Sequence, residues 1–237
     1  MESRTRWYAS PQITQTFLKA LKSGVGKHVF TAKSERGFLI TSSREDSISG
    51  RYIEKITGKR IVPDPFGRTI ELPFVTFETI TFRLSSIFPQ IELLDAPRNA
   101  KRLYLGLGAV VADTFSVEPV QWSVADVLPA MESFVQNLSV EEVHFVGVPV
   151  TENLVSDVVF YGSGDVRAAA LREMKGRANR LGTTKGAFAF KNRDYRFEIS
   201  GLAGIKLKRA PDDELLAEFR SLAGNFSNAS PSIREDR

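Results

Sequence analysis

The order of apolar and polar positions divides the chain into a strand-rich first half and a second half in which helices and strands alternate. Over residues 11–23 (PQITQTFLKALKS) Ile13, Phe17, Leu18 and Leu21 recur at helical spacing, Lys19 and Lys22 lie off that face, and the following GVG is a stop. Short strands are expected at about 28–32 and 37–41, with the polar SSREDSISG as a loop. From Arg51 to Ser85 the period drops to two, through RYIEKI and RIV, a turn at PDPFG, then RTIELPFV and FETITFRLS. Alternation in segments rich in Thr, Ile, Phe and Val predicts an antiparallel meander.

A strand at 90–96, a helix over 97–111 opened by Pro97 and a strand FSVEPVQW lead to the clearest helix, 124–137. Ser123 and Asp126 form a capping-box pattern there. Val124, Val127, Leu128, Met131, Phe134 and Val135 make the buried stripe, and Pro129 is placed to kink it. Strands at 142–150 and 154–162 and a helix from about Asp165 to Asn179 come next. A closing meander follows: AFAFK (187–191), YRFEIS (195–200) and IKLKR (205–209). Pro211, with Asp212, Asp213 and Glu214 behind it, starts a last helix reaching about Leu222. The fold class expected is α+β, with largely antiparallel sheet and four to five helices. It is read as a single domain over 1–224, weakly subdivided near 86–100, with a polar tail at 225–237 expected to be disordered.

Composition is ordinary for a globular protein, 42% apolar and 25% charged over 237 residues. The absence of cysteine removes disulfides, thiolate metal sites and cysteine nucleophiles, and suits a cytoplasmic setting. The first residues hold no apolar core, so no signal peptide is predicted. The longest apolar run, 103–112, is too short to cross a bilayer, and no membrane partner is expected.

Charge changes the picture more. The net value is only +4, but it is sorted along the chain: +7 over 1–60, −9 over 61–166, +9 over 167–209 and −3 over 210–237. Side chains alternate faces along a strand, so Tyr195, Phe197, Ile199, Ile205 and Leu207 are expected inside, and Arg196, Glu198, Lys206 and Lys208 outside. Glu198 is the one acid expected on that outer face. The candidate nucleic-acid-binding residues are therefore Arg177, Arg180, Lys185, Lys191, Arg193, Arg196, Lys206, Lys208 and Arg209. Contacts from such a track go to backbone phosphates and do not separate DNA from RNA. Phe188, Phe190 and Tyr195 are either core residues or platforms for bases.

Other chemistry is thinly represented. The run FYGSGDVR (160–167) resembles the first nucleotide-binding motif of class I methyltransferases, which implies a strand, a glycine turn and a helix start around S-adenosylmethionine. However, Phe160 stands where an acid belongs and Val166 where the third glycine belongs, so Gly162 and Gly164 read as turn residues with Ser163 as a cap. Gly26 and Lys27 lack the remainder of a phosphate loop. His28 and His144, without cysteine, make a poor zinc set. Asp194, Glu198 and Lys206 are the one combination that would serve a metal-dependent nuclease if the final hairpins brought them together. The sequence thus predicts a binding protein more than an enzyme, with no catalytic residue or cofactor assigned. It would be nucleic-acid-associated, or a subunit of a nucleoprotein complex with a protein partner, gripping phosphates through the basic C-terminal meander. The alternatives are the nuclease and a protein–protein interaction subunit with opposed acidic and basic faces.

Overall fold

The computed structural model describes residues 2–25, 28–63, 65–97, 100–111, 115–175 and 180–226. In chain order its elements are β1 (Ser3–Ala9), α1 (Gln15–Val25), β2 (Arg36–Ser43), β3 (Ser47–Pro63), β4 (Thr69–Ser85), β5 (Ile91–Leu94), α2 (Lys101–Val111) and β6 (Glu118–Pro119). They continue as α3 (Val124–Met131), β7 (Gln136–Thr151), β8 (Leu154–Tyr161), α4 (Arg167–Glu173), β9 (Arg180–Phe190), β10 (Arg193–Ser200), β11 (Gly204–Leu207) and α5 (Asp213–Asn225). Among the described residues there are thus five helices and eleven strands, and the fold is α+β with antiparallel pairing, as the sequence predicts.

Contacts divide the chain into two compact units. One comprises residues 1–9 and 118–237, the other 10–117. The segment 86–100, where the sequence suggests a subdivision, lies inside the second of these. Residues 227–237 of the polar tail lie outside the described residues.

In the first unit the strand order is β1–β11–β10–β9–β7–β8, with the two-residue β6 beside β1. Alternation buries Phe188, Tyr195, Phe197, Ile199, Ile205 and Leu207 on one side. Phe219 of α5 closes over that side, with ring centroids 6.2 Å from Phe188 and 5.6 Å from Phe134. The Trp122 indole N–H donates to the Ser200 carbonyl at 2.6 Å. Helix α5 begins at Asp212, whose carboxylate accepts the Leu215 N–H at 2.9 Å; the cap is this aspartate, one residue after Pro211.

In the second unit β2–β3–β4–β5 are consecutive antiparallel neighbours. Helices α1 and α2 lie together, burying Phe17, Leu18, Leu21, Leu103 and Leu107. Helix α2 approaches the sheet closely at Gly106, where a Cβ would stand 2.7 Å from the Tyr52 ring, and Tyr52 in turn packs against Phe38, with ring centroids 5.0 Å apart and tilted by 57°.

Several local expectations are corrected. Segments 51–56 and 60–62 are one strand, and β3 and β4 form a single seventeen-by-seventeen hairpin. The helix expected over 124–137 ends at Met131, two residues after Pro129, and Gln136 already starts β7. Ser123 is its N-cap, but its hydroxyl bonds no helix N–H. Helix α4 starts at Arg167 behind Val166, not at a Ser163 cap. Of segment 28–32 only Val29 pairs, as an isolated bridge to Phe38. No described helix is long and apolar enough to cross a membrane.

Candidate interaction surfaces

The outward face of the first unit carries a row of residues directly opposite one another across six strands: Arg4, Lys206, Glu198, Lys185, Glu142 and Tyr161. Opposed residues in an antiparallel ladder project from the same face, so their charges interact. Lys185 Nζ meets Glu142 at 2.8 Å, Arg196 meets Glu141 at 3.3 Å and Lys206 meets Glu2 at 3.2 Å. The hydrogen bond to Glu142 holds the Lys185 ammonium above the usual lysine range, outweighing partial burial, and Glu142 and Glu198 add charge attraction. An open depression of about 350 Å³ lies here, lined by Glu2, Glu141, Glu142 and Glu198 and by Lys185, Arg196, Lys206 and Lys208.

The sequence-predicted basic track is therefore brought together only in part. Lys185, Arg196, Lys206 and Lys208 share the depression. Lys191 and Arg193 sit at the β9–β10 turn beside the start of α5, where Lys191 contacts Glu214 and Arg193 lies 4.0 Å from Asp212. Arg180 opens β9, roughly 35 Å of strand away from that turn at 3.3 Å per residue. Arg209 follows β11 and is exposed. Arg177 lies outside the described residues. Arg180, Lys208 and Arg209 have no ion-pair partner among the described residues. Glu198 is not the lone acid of this face: Glu2, Glu141 and Glu142 join it, the last two from the acidic middle of the chain. The opposed acidic and basic faces expected from the charge blocks do not form here, because β7 places part of the acidic block beside β9 of the basic one.

The remaining candidates change as well. Phe188, Phe190 and Tyr195 are 2%, 7% and 1% exposed, so they are core and offer no stacking platform. Glu198 stands directly opposite Lys206, but Asp194 lies four residues further along the strand, roughly 13 Å away, so the three do not converge. Among the described residues no three His, Asp or Glu side chains cluster closely enough to hold a metal ion. The turn after β8 feeds a seven-residue helix whose first turn is already occupied. The Asp165 carboxylate accepts the Arg167 N–H at 3.0 Å and its guanidinium at 2.7–3.1 Å, and Arg167 reaches Glu132 at 2.7 Å. Burial pushes the Asp165 carboxyl up, but the Arg167 hydrogen bonds outweigh it and hold the group below the usual range. Strand β8, which precedes the glycine turn, pairs antiparallel with β7.

A second surface arises in the other unit, and the sequence reading did not single it out. Pairing of β2 with β3 stops at Glu54, and pairing of β4 with β5 stops at Thr81. From Ile56 and Thr76 outward, β3 and β4 pair only with each other, as a two-stranded ribbon of eight rows, roughly 25 Å long. One face of the ribbon carries Ile56, Phe74, Leu72, Val62 and Ile70, with Arg60 as its single charge. The other mixes Phe77, Val75 and Ile61 with Lys55, Lys59 and Glu71, the last two joined at 2.7 Å. The apolar face continues that of Tyr52 and Ile80, which are buried in the unit's core. Phe74 lies over Gly58, its ring atoms 2.8 Å from where a Cβ would be. At the boundary Arg102 of α2 donates at 3.1 Å to both Glu54 and Glu78, which oppose each other across the strands. Ile61, Phe66, Ile70, Leu72, Phe74, Val75 and Phe77 are 42–87% exposed.

The chain matches no protein-family model and no curated protein, so the two surfaces themselves carry the functional argument.

Proposed function

We propose that this chain is an interaction subunit that docks onto protein through the β3–β4 ribbon, its chemistry being binding and not turnover. One observation carries the reading. The alternation of apolar residues, Ile70, Leu72 and Phe74 on β4 with Ile56 and Val62 on β3, continues beyond the last neighbouring strand, where residues 69–79 of β4 are all exposed and no other described strand pairs with the ribbon. An isolated two-stranded ribbon is marginal in water, and contiguous apolar patches above a few hundred Å² mark interaction sites. A photo-crosslinking side chain at Leu72 of the full chain, irradiated in an extract of the source cells, tests it. The expected result is an adduct to one protein species, suppressed by excess unmodified chain and by Phe74→Ser in the same chain. Diffuse labelling insensitive to both would overturn the reading.

A second reading, contact with nucleic-acid backbone, is supported by a different observation. Arg4 lies directly opposite Lys206, and Arg196 lies opposite Lys208, where the Lys208 N–H donates to the Arg196 carbonyl at 3.0 Å. Like charges across neighbouring strands cost stability, and a polyanion bound there would offset that cost. The four carboxylates of the same depression weigh against it. Oligonucleotide binding that falls steeply with salt, and weakens in the double variant Lys206→Glu/Lys208→Glu, is expected on this reading; equal binding by that variant at low salt removes it.

A further inference from the structure

We infer that the ribbon takes up an extended segment of a different protein as a third strand, paired antiparallel to the outer edge of β3 beyond Lys55. This rests on the protein-docking reading above and adds the mode of contact and the chemistry of the partner.

The direction of the backbone groups comes first. The Lys55 N–H donates to the Glu35 carbonyl at 2.8 Å, so odd-numbered residues of β3 point their N–H and C=O groups towards the β2 side. Beyond that bond the lane of β2 is vacant, because Ser34 turns back to bond the Thr31 carbonyl at 3.0 Å. The β3–β4 register runs without a shift from Ser47 to Pro63. Thr57, Lys59 and Ile61 therefore present three N–H and three C=O groups to the vacant lane, where no described strand pairs with them.

The other edge of the ribbon is closed to such an addition. The Ser85 N–H donates to the Gln90 carbonyl at 2.8 Å, so odd-numbered residues of β4 face the β5 side. Pro73 is one of them, and it sets a position without an N–H in the middle of that edge. Proline there obstructs pairing with a further strand while leaving the β3–β4 ladder intact. On β3 the corresponding edge meets no proline until Pro63. A third strand on that side also converts a marginal two-stranded ribbon into a stable sheet.

Charge and shape define the occupant. Lys55 is paired with Glu35 and Lys59 with Glu71, but Arg60 is exposed and has no ion-pair partner among the described residues. An antiparallel strand places its residue opposite Arg60 in a close, non-hydrogen-bonded pair, where a carboxylate is favoured. The free length of β3, residues 56–63, contains no acid, so a second copy pairing through the same edge does not supply one. Two residues inward, Gly58 leaves the rim of the Phe74 ring open to an aromatic neighbour. Two residues outward, Val62 calls for an apolar one. The partner segment thus alternates apolar, acidic and apolar positions.

The probe is a capped heptapeptide, TVTETFT, titrated into the full chain, its glutamate falling opposite Arg60 and its phenylalanine opposite Gly58. Saturable binding is expected, with slowed amide exchange at Thr57, Lys59 and Ile61 and unchanged exchange at Val75 and Phe77. Thr57 and Val75 face each other across the ribbon with N–H groups on opposite edges, which makes them a matched pair. Thr57→Pro should weaken binding roughly tenfold and Val75→Pro should not, both variants keeping the circular dichroism of the parent. Arg60→Glu should weaken it roughly fivefold, and a peptide with lysine in place of glutamate should recover that loss. No saturable binding up to about millimolar peptide, binding indifferent to Thr57→Pro, or protection on the β4 edge would each overturn the inference. The Leu72 crosslinker in the Thr57→Pro chain then separates the two readings. A specific adduct still suppressed by Phe74→Ser leaves docking through the apolar face without strand addition, whereas no specific adduct in the parent chain removes both.

Discussion

Lys185 on β9 and Glu142 on β7 stand directly opposite one another, and their charged ends meet at 2.8 Å. With Arg196–Glu141 beside it at 3.3 Å, this contact turns what the linear charge pattern presents as a cationic track into a surface of alternating sign. These exposed pairs contribute little to stability, on the order of 0–1 kcal/mol each. Their larger consequence is for what the surface attracts.

Removing the two carboxylates should expose the cations. The double variant Glu141→Gln/Glu142→Gln frees Lys185 and Arg196 without altering side-chain size. Affinity for single-stranded oligonucleotide at low salt is expected to rise roughly tenfold, with the log–log salt slope steeper by about 1.4 for two added phosphate contacts. Filter binding at several salt concentrations measures both. An unchanged slope would show that these two cations do not reach phosphate.

The acid limb of stability has a named contributor in Asp165. Its folded pKa lies below the unfolded value, because hydrogen bonds from Arg167 outweigh the opposing effect of burial. The pair therefore stabilises the fold above the ordinary carboxylate range, and that contribution is lost as pH falls through the lowered folded pKa. Asp165→Asn should cost about 1 kcal/mol at neutral pH and little at the acid end. Thermal melts of the two chains, followed from neutral to acid pH, should converge. Parallel curves would contradict the assignment.

At Gly106 helix propensity and packing make opposite predictions. Alanine in a helix interior is favoured over glycine by about 1 kcal/mol. Here, however, its Cβ would stand 2.7 Å from the ring of Tyr52, which is 3% exposed and packed against Phe38. Overpacking of this kind costs about 1–3 kcal/mol, so Gly106→Ala should lower the denaturation midpoint. The companion Gly106→Ala/Tyr52→Leu should recover part of the loss, since the smaller side chain can yield.

How far the sequence could be read depended on whether a feature was local. Inward and outward positions of the closing meander followed from alternation alone: Phe197 and Ile205 are core, while Arg196 and Lys206 face out. Where a helix ends was less accessible, since Pro129 reads as a kink in a long helix but stands two residues from its end. The ribbon was partly legible. Its alternation is plain from Arg51 to Ser85, yet RYIEKI and RIV read as separate segments, whereas β3 runs unbroken through Gly58, over which Phe74 of β4 lies.

The sequence by itself determined the fold class, the inward positions of the closing meander and the cluster of acids that begins α5, because each depends on residues within a turn or a pleat of one another. Only the tertiary structure decided that Glu141 and Glu142 lie against Lys185 and Arg196, and that β3 and β4 outrun their neighbours. Strand register and strand length relative to a sheet are relations between segments far apart in the chain. A one-residue slip would turn every partner to the other face, so no pattern confined to one segment could specify them.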